Sequence, residues 1–315
     1  MLPRPADPQG GEIKEEFGVK LKSGRRFSIT PYLFIAPQLI LFAIFFIIPA
    51  AMGIFTAFSK WNVYNQPWPV FNGLENFKQI FTDSSSTYYG DFRTGMKNTC
   101  LFVLMSVPFC ILVPLLMAVV LSLKPRGHKF YQALFYLPNI LSISTVILIW
   151  FYFFNRSEGF LNNFFGANVN WLGEQPFAWI AITVITVWWC LGGNLVIYVA
   201  AINGVSKDML EAADVDGASL VTRFTKIVLP SIRPQLGYTL VLTTISQFSI
   251  YGQSLMLTSG GPNRSTHTIM MFIRSIAFGT FGTSVAGVAA GMALMIGMVM
   301  IVTSFVLNKL TAARD

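Results

Sequence analysis

Six stretches of this chain hold no charged side chain, and each is long enough to cross a lipid bilayer as a helix. They run Phe27–Ser59, Asn98–Leu123, Phe130–Asn155, Gln175–Ser206, Pro234–Asn263 and Ser275–Asn308. Each is dominated by Leu, Ile, Val, Phe, Met and Ala, and each exceeds the roughly 20 residues needed to span hydrocarbon. Composition agrees: charged residues make up 11% of the chain, against roughly 25% in ordinary globular domains. The predicted fold class is an all-α integral membrane protein. Six transmembrane helices are expected near 31–58, 98–123, 130–154, 176–203, 235–257 and 284–307. They form a domain over 31–310, between a polar tail (1–30) and a short C-terminal end (311–315).

An even number of crossings puts both ends on one side. That side holds fifteen of the 22 Lys and Arg residues: in the tail, in Lys124–Lys129, in Lys207–Arg233 and at the C-terminus. Positive charge marks the cytoplasmic face, so both termini are expected in the cytoplasm of a bacterial or archaeal plasma membrane. The net charge of +8 then reflects topology and contact with anionic lipid; it does not indicate nucleic acid. The first apolar run is too long for a signal-peptide core and lacks a small-residue cleavage site, so it reads as a retained helix.

Enzymatic readings find little to stand on. Cys100, Cys110 and Cys190 have neither even number nor CxxC spacing, so no disulfide framework or metal site is expected. His128 and His267 fall in loops on opposite sides. No catalytic pair lies at membrane depth, and neither a catalytic nor a metal-binding residue is assigned. No Asp, Glu, Lys, Arg or His lies inside a span, although proton-coupled carriers and voltage sensors usually keep such groups there. No GxxxxGK[ST] phosphate loop is present. Active transport would therefore draw its energy from another subunit, which would bind ATP and Mg. A self-sufficient secondary carrier is the competing class.

The loop at 206–230 indicates where that subunit would attach. Ser206 stands as an N-cap before Lys207–Ala213, with Asp208 and Glu211 favourable near a helix N-terminus. Gly217 breaks the helix. A second begins at Ala218, with Leu220, Val221, Phe224, Ile227 and Val228 on one face, and Leu229-Pro230 is expected to stop it. Two readings stay open on periodicity: a helix-turn-helix knob projecting into the cytoplasm, or an amphipathic helix lying on the membrane. The spacing Glu211-Ala212-Ala213, Gly217, Ile227, Leu229-Pro230 resembles the EAA signature of importer permeases of the ATP-binding-cassette superfamily. Further segments resemble the carbohydrate-uptake class related to the maltose transporter. These are Tyr32–Pro37 with Phe46–Pro49, Phe135–Pro138 and the external turn Leu257–Pro262. The resemblance implies a coupling role for Glu211, Ala212, Ala213, Asp216, Gly217, Ile227, Leu229 and Pro230. It also implies a second, non-identical permease, two cytoplasmic ATPases and an extracytoplasmic binding protein.

The fifth span is the most polar. Thr243, Ser246, Gln247, Ile250 and Ser254 follow helical spacing, with Tyr251 beside them and Asn194 and Tyr198 on the fourth span. Hydroxyls and amides with an aromatic neighbour suit a neutral sugar. The resemblance implies that Thr243, Ser246, Gln247 and Ile250 line the sugar site. The alternative is that these groups hydrogen-bond helix to helix. A permease for another polar solute, such as a glycerol phosphate, is the runner-up; a phosphate would call for Arg or Lys in the cavity. In the sixth span, Gly287 and Gly291 with Ala286, Ala289, Ala290 and Ala293 permit close helix approach, within the chain or to a partner. Pro49, Pro108, Pro114 and Pro138 either bend helices around a cavity or kink them without function.

Overall fold

The computed structural model describes residues 30–279 and 285–312. The tail at 1–29, the last three residues and the expected start of the sixth helix at Ser284 lie outside the described residues. The chain divides into two units between Pro49 and Ala50.

The first unit holds α1 (Thr30–Phe42), a wider turn over Ala43–Ile47, and the start of α2 (Ile48–Ala57). Its large side chains are exposed on every face, among them Phe34, Phe45 and Phe46. A helix apolar all round belongs in a membrane or a large core. The turn at Ala43–Ile47 is a π-turn: the Ile48 amide donates five residues back, to Ala43 O. It sits just ahead of Pro49, whose ring would strike a carbonyl four residues back in a regular helix; widening the turn relieves that clash.

The second unit carries the bundle. A two-strand ribbon, β1 (Ser59–Lys60) antiparallel to β2 (Val70–Phe71), leads to α3 (Glu75–Phe81) and to α4 (Thr87–Ser122). At about 1.5 Å per residue, the 36 residues of α4 reach about 54 Å, well beyond a roughly 30 Å hydrocarbon core. The excess is at the N-terminal end, where Asp91, Arg93 and Lys97 precede the neutral interval. Next come α5 (His128–Ile140) and α6 (Ile143–Phe153), bent by 102° to each other, then the short α7 (Phe160–Phe165) and the straight α8 (Phe177–Asn203). The loop after α8 folds as α9 (Lys207–Val215), α10 (Leu220–Arg223), a second π-turn over Phe224–Val228, and α11 (Leu229–Ser231). The chain finishes with α12 (Arg233–Phe248), α13 (Gly252–Thr258), α14 (Ile269–Phe278) and α15 (Ala286–Ala312).

Among the described residues, four helical runs are long and apolar enough to cross a membrane: Tyr32–Ala57, Thr87–Ser122, Phe177–Asn203 and Ala286–Thr311. The α5–α6 pair makes a fifth if it counts as one broken span. The expected straight helix at 130–154 is interrupted at Leu141-Ser142. Pro138 weakens the ladder there, Ser142 caps α6 by accepting from the Thr145 amide at 3.3 Å, and Trp189 Nε1 donates to the freed Leu141 O at 3.1 Å. The expected helix at 235–257 is likewise two pieces. Its first piece, α12, has 16 residues, about 24 Å at the α-helical rise. Pro230 does not end the loop helix as anticipated; the π-turn ahead of it absorbs the ring, and only Ile232 leaves helical geometry before α12.

The buried side chains gather in three groups. One joins Phe102, Trp179 and Ile182 with α6 and α13; a second joins Leu115, Leu195 and Tyr198 with Val228 and Ile232 at the loop; the third joins Phe92, Ile269 and Met292 across α4, α14 and α15. The second group anchors the loop to the bundle. The small residues of α15 are used within the chain: a Cβ on Gly287 would overlap Ser59 O, and one on Gly291 would lie 3.2 Å from Ile80. Asn76 Nδ2 locks the same corner by donating to Ala57 O and Ser59 O, each at 2.9 Å. Gly287→Val is therefore expected to cost about 1–3 kcal/mol through overpacking, read as a lower melting temperature in detergent. Gly297→Val, with nothing within 4 Å, is the comparison; equal melting of the two variants would contradict this packing.

Candidate functional site

The loop between α8 and α12 is a rigid pair of helices set by one turn. Gly217 takes φ +69°, and its amide donates to Asp214 O at 3.1 Å while Ala218 N–H reaches Ala213 O at 2.9 Å. This is the Schellman arrangement, which satisfies the last carbonyls of α9 and requires a left-handed residue at Gly217. Ser219 caps α10 by accepting from the Thr222 amide, and Arg223 pairs with Asp214 across the turn. Ser206 makes no side-chain cap; its carbonyl accepts from Leu210 instead.

Leu210, Phe224, Ile227, Val228 and Leu229 turn inward to the buried group around Tyr198 and Ile232. Ala213 is buried, whereas Glu211, Ala212, Asp216, Gly217 and Pro230 are exposed. The apolar face predicted for the second helix splits. Val215, Leu220 and Val221 stand exposed at 88%, 63% and 72%, grouping apolar surface around the turn with Glu211 and Asp216 on the same two-helix unit. An amphipathic helix lying on lipid would direct one stripe at the membrane; here the stripe is divided between the bundle and the open tip.

The polar groups of α12 and α13 are placed mostly between helices. Asn194 Nδ2 donates to Thr243 Oγ1 at 3.1 Å and to Cys110 O at 2.9 Å, joining α8, α12 and α4. Tyr198 OH and Thr239 Oγ1 lie 2.6 Å apart. Gln247 Nε2 faces Cys110 Sγ at 3.9 Å, Ile250 is packed in the core, and Ser254 Oγ donates to Thr266 O. Thr243, Gln247, Ile250 and Ser254 are buried; Ser246 is exposed and Tyr251 half-buried. So Ser246 does not share the covered face on which sequence spacing grouped it. The uncovered stripe of α12 is Tyr238, Leu242, Ser246 and Ser249. Its N-terminal half forms one side of an apolar cleft of about 970 Å³ shared with Met300, Ile301 and Phe305 of α15.

The helix ends at Ser249–Tyr251, where Tyr251 adopts φ −144° and ψ −59°. Thr268 Oγ1 donates to the freed Ile250 O at 3.0 Å, tying the break to the start of α14. The turn between α13 and α14 is fastened to α4. Asn98 Nδ2 donates to Arg264 O and His267 O, each at 2.9 Å, Arg264 pairs with Asp91, and the Ile269 amide donates to Thr99 Oγ1 at 3.0 Å. The Arg264 guanidinium lies 4.7 Å from the Phe272 ring centroid, and the His267 ring packs on the same side chain. Burial, with the Arg264 charge beside it, holds His267 below the usual histidine range. The sequence reading missed Asp91, Asn98, Thr268 and Arg264: it counted the charges there only for sidedness, had no means of pairing Asp91 and Asn98 with residues some 170 positions away, and did not foresee the break that Thr268 caps.

A family profile described as "binding-protein-dependent transport system inner membrane component" matches residues 86–313. The chain is 30% identical over 287 residues to the probable ABC transporter permease protein YesP of Bacillus subtilis, covering 88% of this chain and 89% of that protein. It is 30% identical over 292 residues to the probable starch degradation products transport system permease protein AmyD of Thermoanaerobacterium thermosulfurigenes, covering 90% and 94%. It is 32% identical over 278 residues to the sn-glycerol-3-phosphate transport system permease protein UgpA of Escherichia coli, covering 87% and 91%. A solved bacterial ABC transporter involved in the import of the acidic polysaccharide alginate superposes with a TM-score of 0.73 at 23% identity, over 91% of this chain and 96% of that one, which establishes the fold.

Proposed function

The chain belongs to the family of inner membrane components of binding-protein-dependent transport systems, and on that premise we propose that it forms half of the translocation pathway of an ATP-binding-cassette importer for a sugar or oligosaccharide. The carrying observation is the two-helix loop locked at Gly217, with Val215, Leu220 and Val221 uncovered beside it. A rigid element with an apolar tip suits the grip of an ATPase. Glu211, Ala212, Asp216 and Gly217 lie on that surface and Pro230 is exposed as well; Ile227 and Leu229 hold the loop to the bundle, and Ala213 is buried within it. Two cytoplasmic ATPases bind ATP and its Mg, a second permease completes the path, and an extracytoplasmic binding protein delivers the sugar. The chain crosses the membrane six times with both ends in the cytoplasm, α5–α6 and α12–α13 each serving as one broken crossing. Broken helices in transporters are tolerated where they line a cavity.

The saccharide meets Ser246 and Tyr251 directly. Asn194, Tyr198, Thr243, Gln247, Ile250 and Ser254 become available as α12 shifts against α8 and α4, the relative motion that alternating access demands. A glycerol phosphate is the second reading, favoured by the 32% identity to UgpA. The test is reconstitution in liposomes with and without the partner subunits. ATP-dependent accumulation of saccharide is expected only for the full assembly, with a cysteine at Gly127 or Gly217 labelled only from the cytoplasmic side. Gradient-driven uptake by the chain alone would make it a secondary carrier and end this reading.

A further inference from the structure

We infer that the outer end of α12 carries a subsite for the carboxylate of an acidic saccharide, built from Arg274 and Tyr251. This rests on reading the chain as half of a saccharide pathway and narrows the substrate class at the same site.

Sequence reasoning pointed to a neutral solute because no charge lies within the neutral intervals. Arg274 borders the last of them, and its position in the fold could not be read from that boundary. Thr268, the residue before α14, donates to Ile250 O in the break of α12. The first turn of α14 is thereby held at the break, while Ile269, Met271 and Phe272 bury its other side. The exposed side carries Arg274, whose guanidinium carbon lies 5.7 Å from the centroid of the Tyr251 ring. Tyr251 follows directly on the uncovered stripe that ends in Ser246 and Ser249.

The chemistry of these groups converges on one ligand class. Among the described residues, Arg274 has neither a carboxylate partner nor a hydrogen bond, in contrast to Arg264 with Asp91 and Arg223 with Asp214. A guanidinium offers a planar fork that matches a carboxylate with two parallel hydrogen bonds. The guanidinium lies over the Tyr251 ring, and the serine hydroxyls beside it both donate and accept. A phosphate monoester carries close to two charges near neutrality, so a lone arginine would leave one of them unmatched. A uronate carries one on each sugar ring, so each carboxylate can be met by one guanidinium.

The test uses the complete transporter, with both permeases, ATPases and binding protein, in proteoliposomes. Trigalacturonate and trimannuronate are compared with their neutral methyl esters, and sn-glycerol 3-phosphate with glycerol. The measured quantity is the ratio of ATP-driven uptake, acid over neutral counterpart, in wild type, Arg274→Gln and Arg274→Lys. Because the binding protein is the same throughout, a change in the ratio belongs to the permease. Wild type is expected to favour at least one uronate over its ester by about tenfold. Arg274→Gln is expected to flatten that ratio with ATP turnover in the absence of saccharide unchanged, and Arg274→Lys to restore part of it. An unchanged ratio in Arg274→Gln, or uptake of neutral saccharides alone, overturns the subsite and leaves the permease reading intact. A ratio that shifts only for the phosphate ester overturns the carboxylate assignment. ATP-driven uptake of no saccharide at all removes both readings.

Discussion

Replacing Gly217 with proline is expected to reduce ATP-driven uptake to background while the chain still inserts into the membrane. The turn needs φ near +69°, and proline fixes φ near −65°. The substitution also deletes the amide that donates to Asp214 O and disfavours helical geometry at Asp216. No arrangement keeps α9 and α10 in their present relation, so the Arg223–Asp214 pair and the exposed group Val215, Leu220 and Val221 are dispersed together. Gly217→Ala provides the graded comparison. Its Cβ meets nothing within 4 Å, so its cost is the roughly 1–2 kcal/mol of a left-handed non-glycine residue, and most uptake should survive. Co-purification of the ATPases and saccharide-stimulated ATP turnover are the measurements. Wild-type values of both for Gly217→Pro would show that this loop does not carry coupling.

The contrast between the two variants also says which parts of the loop were legible beforehand. Glycine after a nine-residue helix announced the break, and the spacing to Ile227 and Leu229-Pro230 carried the family resemblance. What the sequence misjudged was Pro230. A proline stops a helix only where the preceding turn is regular, and the π-turn at Phe224–Val228 is a local widening that no residue type announces. The same holds at Pro49.

Among the spans, α8 was readable to within a residue because Glu174 and Lys207 bracket it and nothing interrupts it. The first three turns of α4 were not, because Asp91, Arg93 and Lys97 ended the neutral interval there. Those residues are helical because α14 and the turn between α13 and α14 pack on them, which is tertiary information. The break at Leu141-Ser142 depends on Trp189 reaching back to Leu141 O, and the break at Ser249–Tyr251 on Thr268. In each case the group that stabilises an interrupted helix comes from another element. Periodicity on α12 showed that polar groups recur with helical spacing. Which neighbour covers them was decided by Asn194 and Cys110, and left Ser246 on the open side.

Asn98→Leu is expected to loosen the whole turn between α13 and α14, and it is the most damaging single change outside the loop. Asn98 is 6% exposed, and its amide nitrogen is the one donor that holds both Arg264 O and His267 O. A leucine of similar size removes both bonds and leaves two carbonyls facing an apolar group, at about 1–3 kcal/mol each. At roughly 2–4 °C per kcal/mol for a chain of this size, the melting temperature in detergent should drop by about 5–20 °C. Arg264, released from its clamp, should also lose its fixed approach to Asp91 and Phe272, so Asp91→Asn added to Asn98→Leu should cost less than Asp91→Asn alone. The pH dependence gives an independent readout. His267 is held below the usual histidine value of 6.5 by burial and by Arg264, so the folded turn favours the neutral ring. Its contribution is complete above pH 6.5 and is lost as pH falls through the lowered value, because the unfolded chain then binds the proton first. Wild type should therefore melt at progressively lower temperature as the pH falls from 6.5 to the lowered value, with no further loss from this group below it. Asn98→Leu, with His267 opened to water, should show a weaker slope. Identical slopes and an unchanged melting temperature would mean that the turn is held by Thr99, Ser254 and Thr268 without Asn98, and that the clamp is incidental.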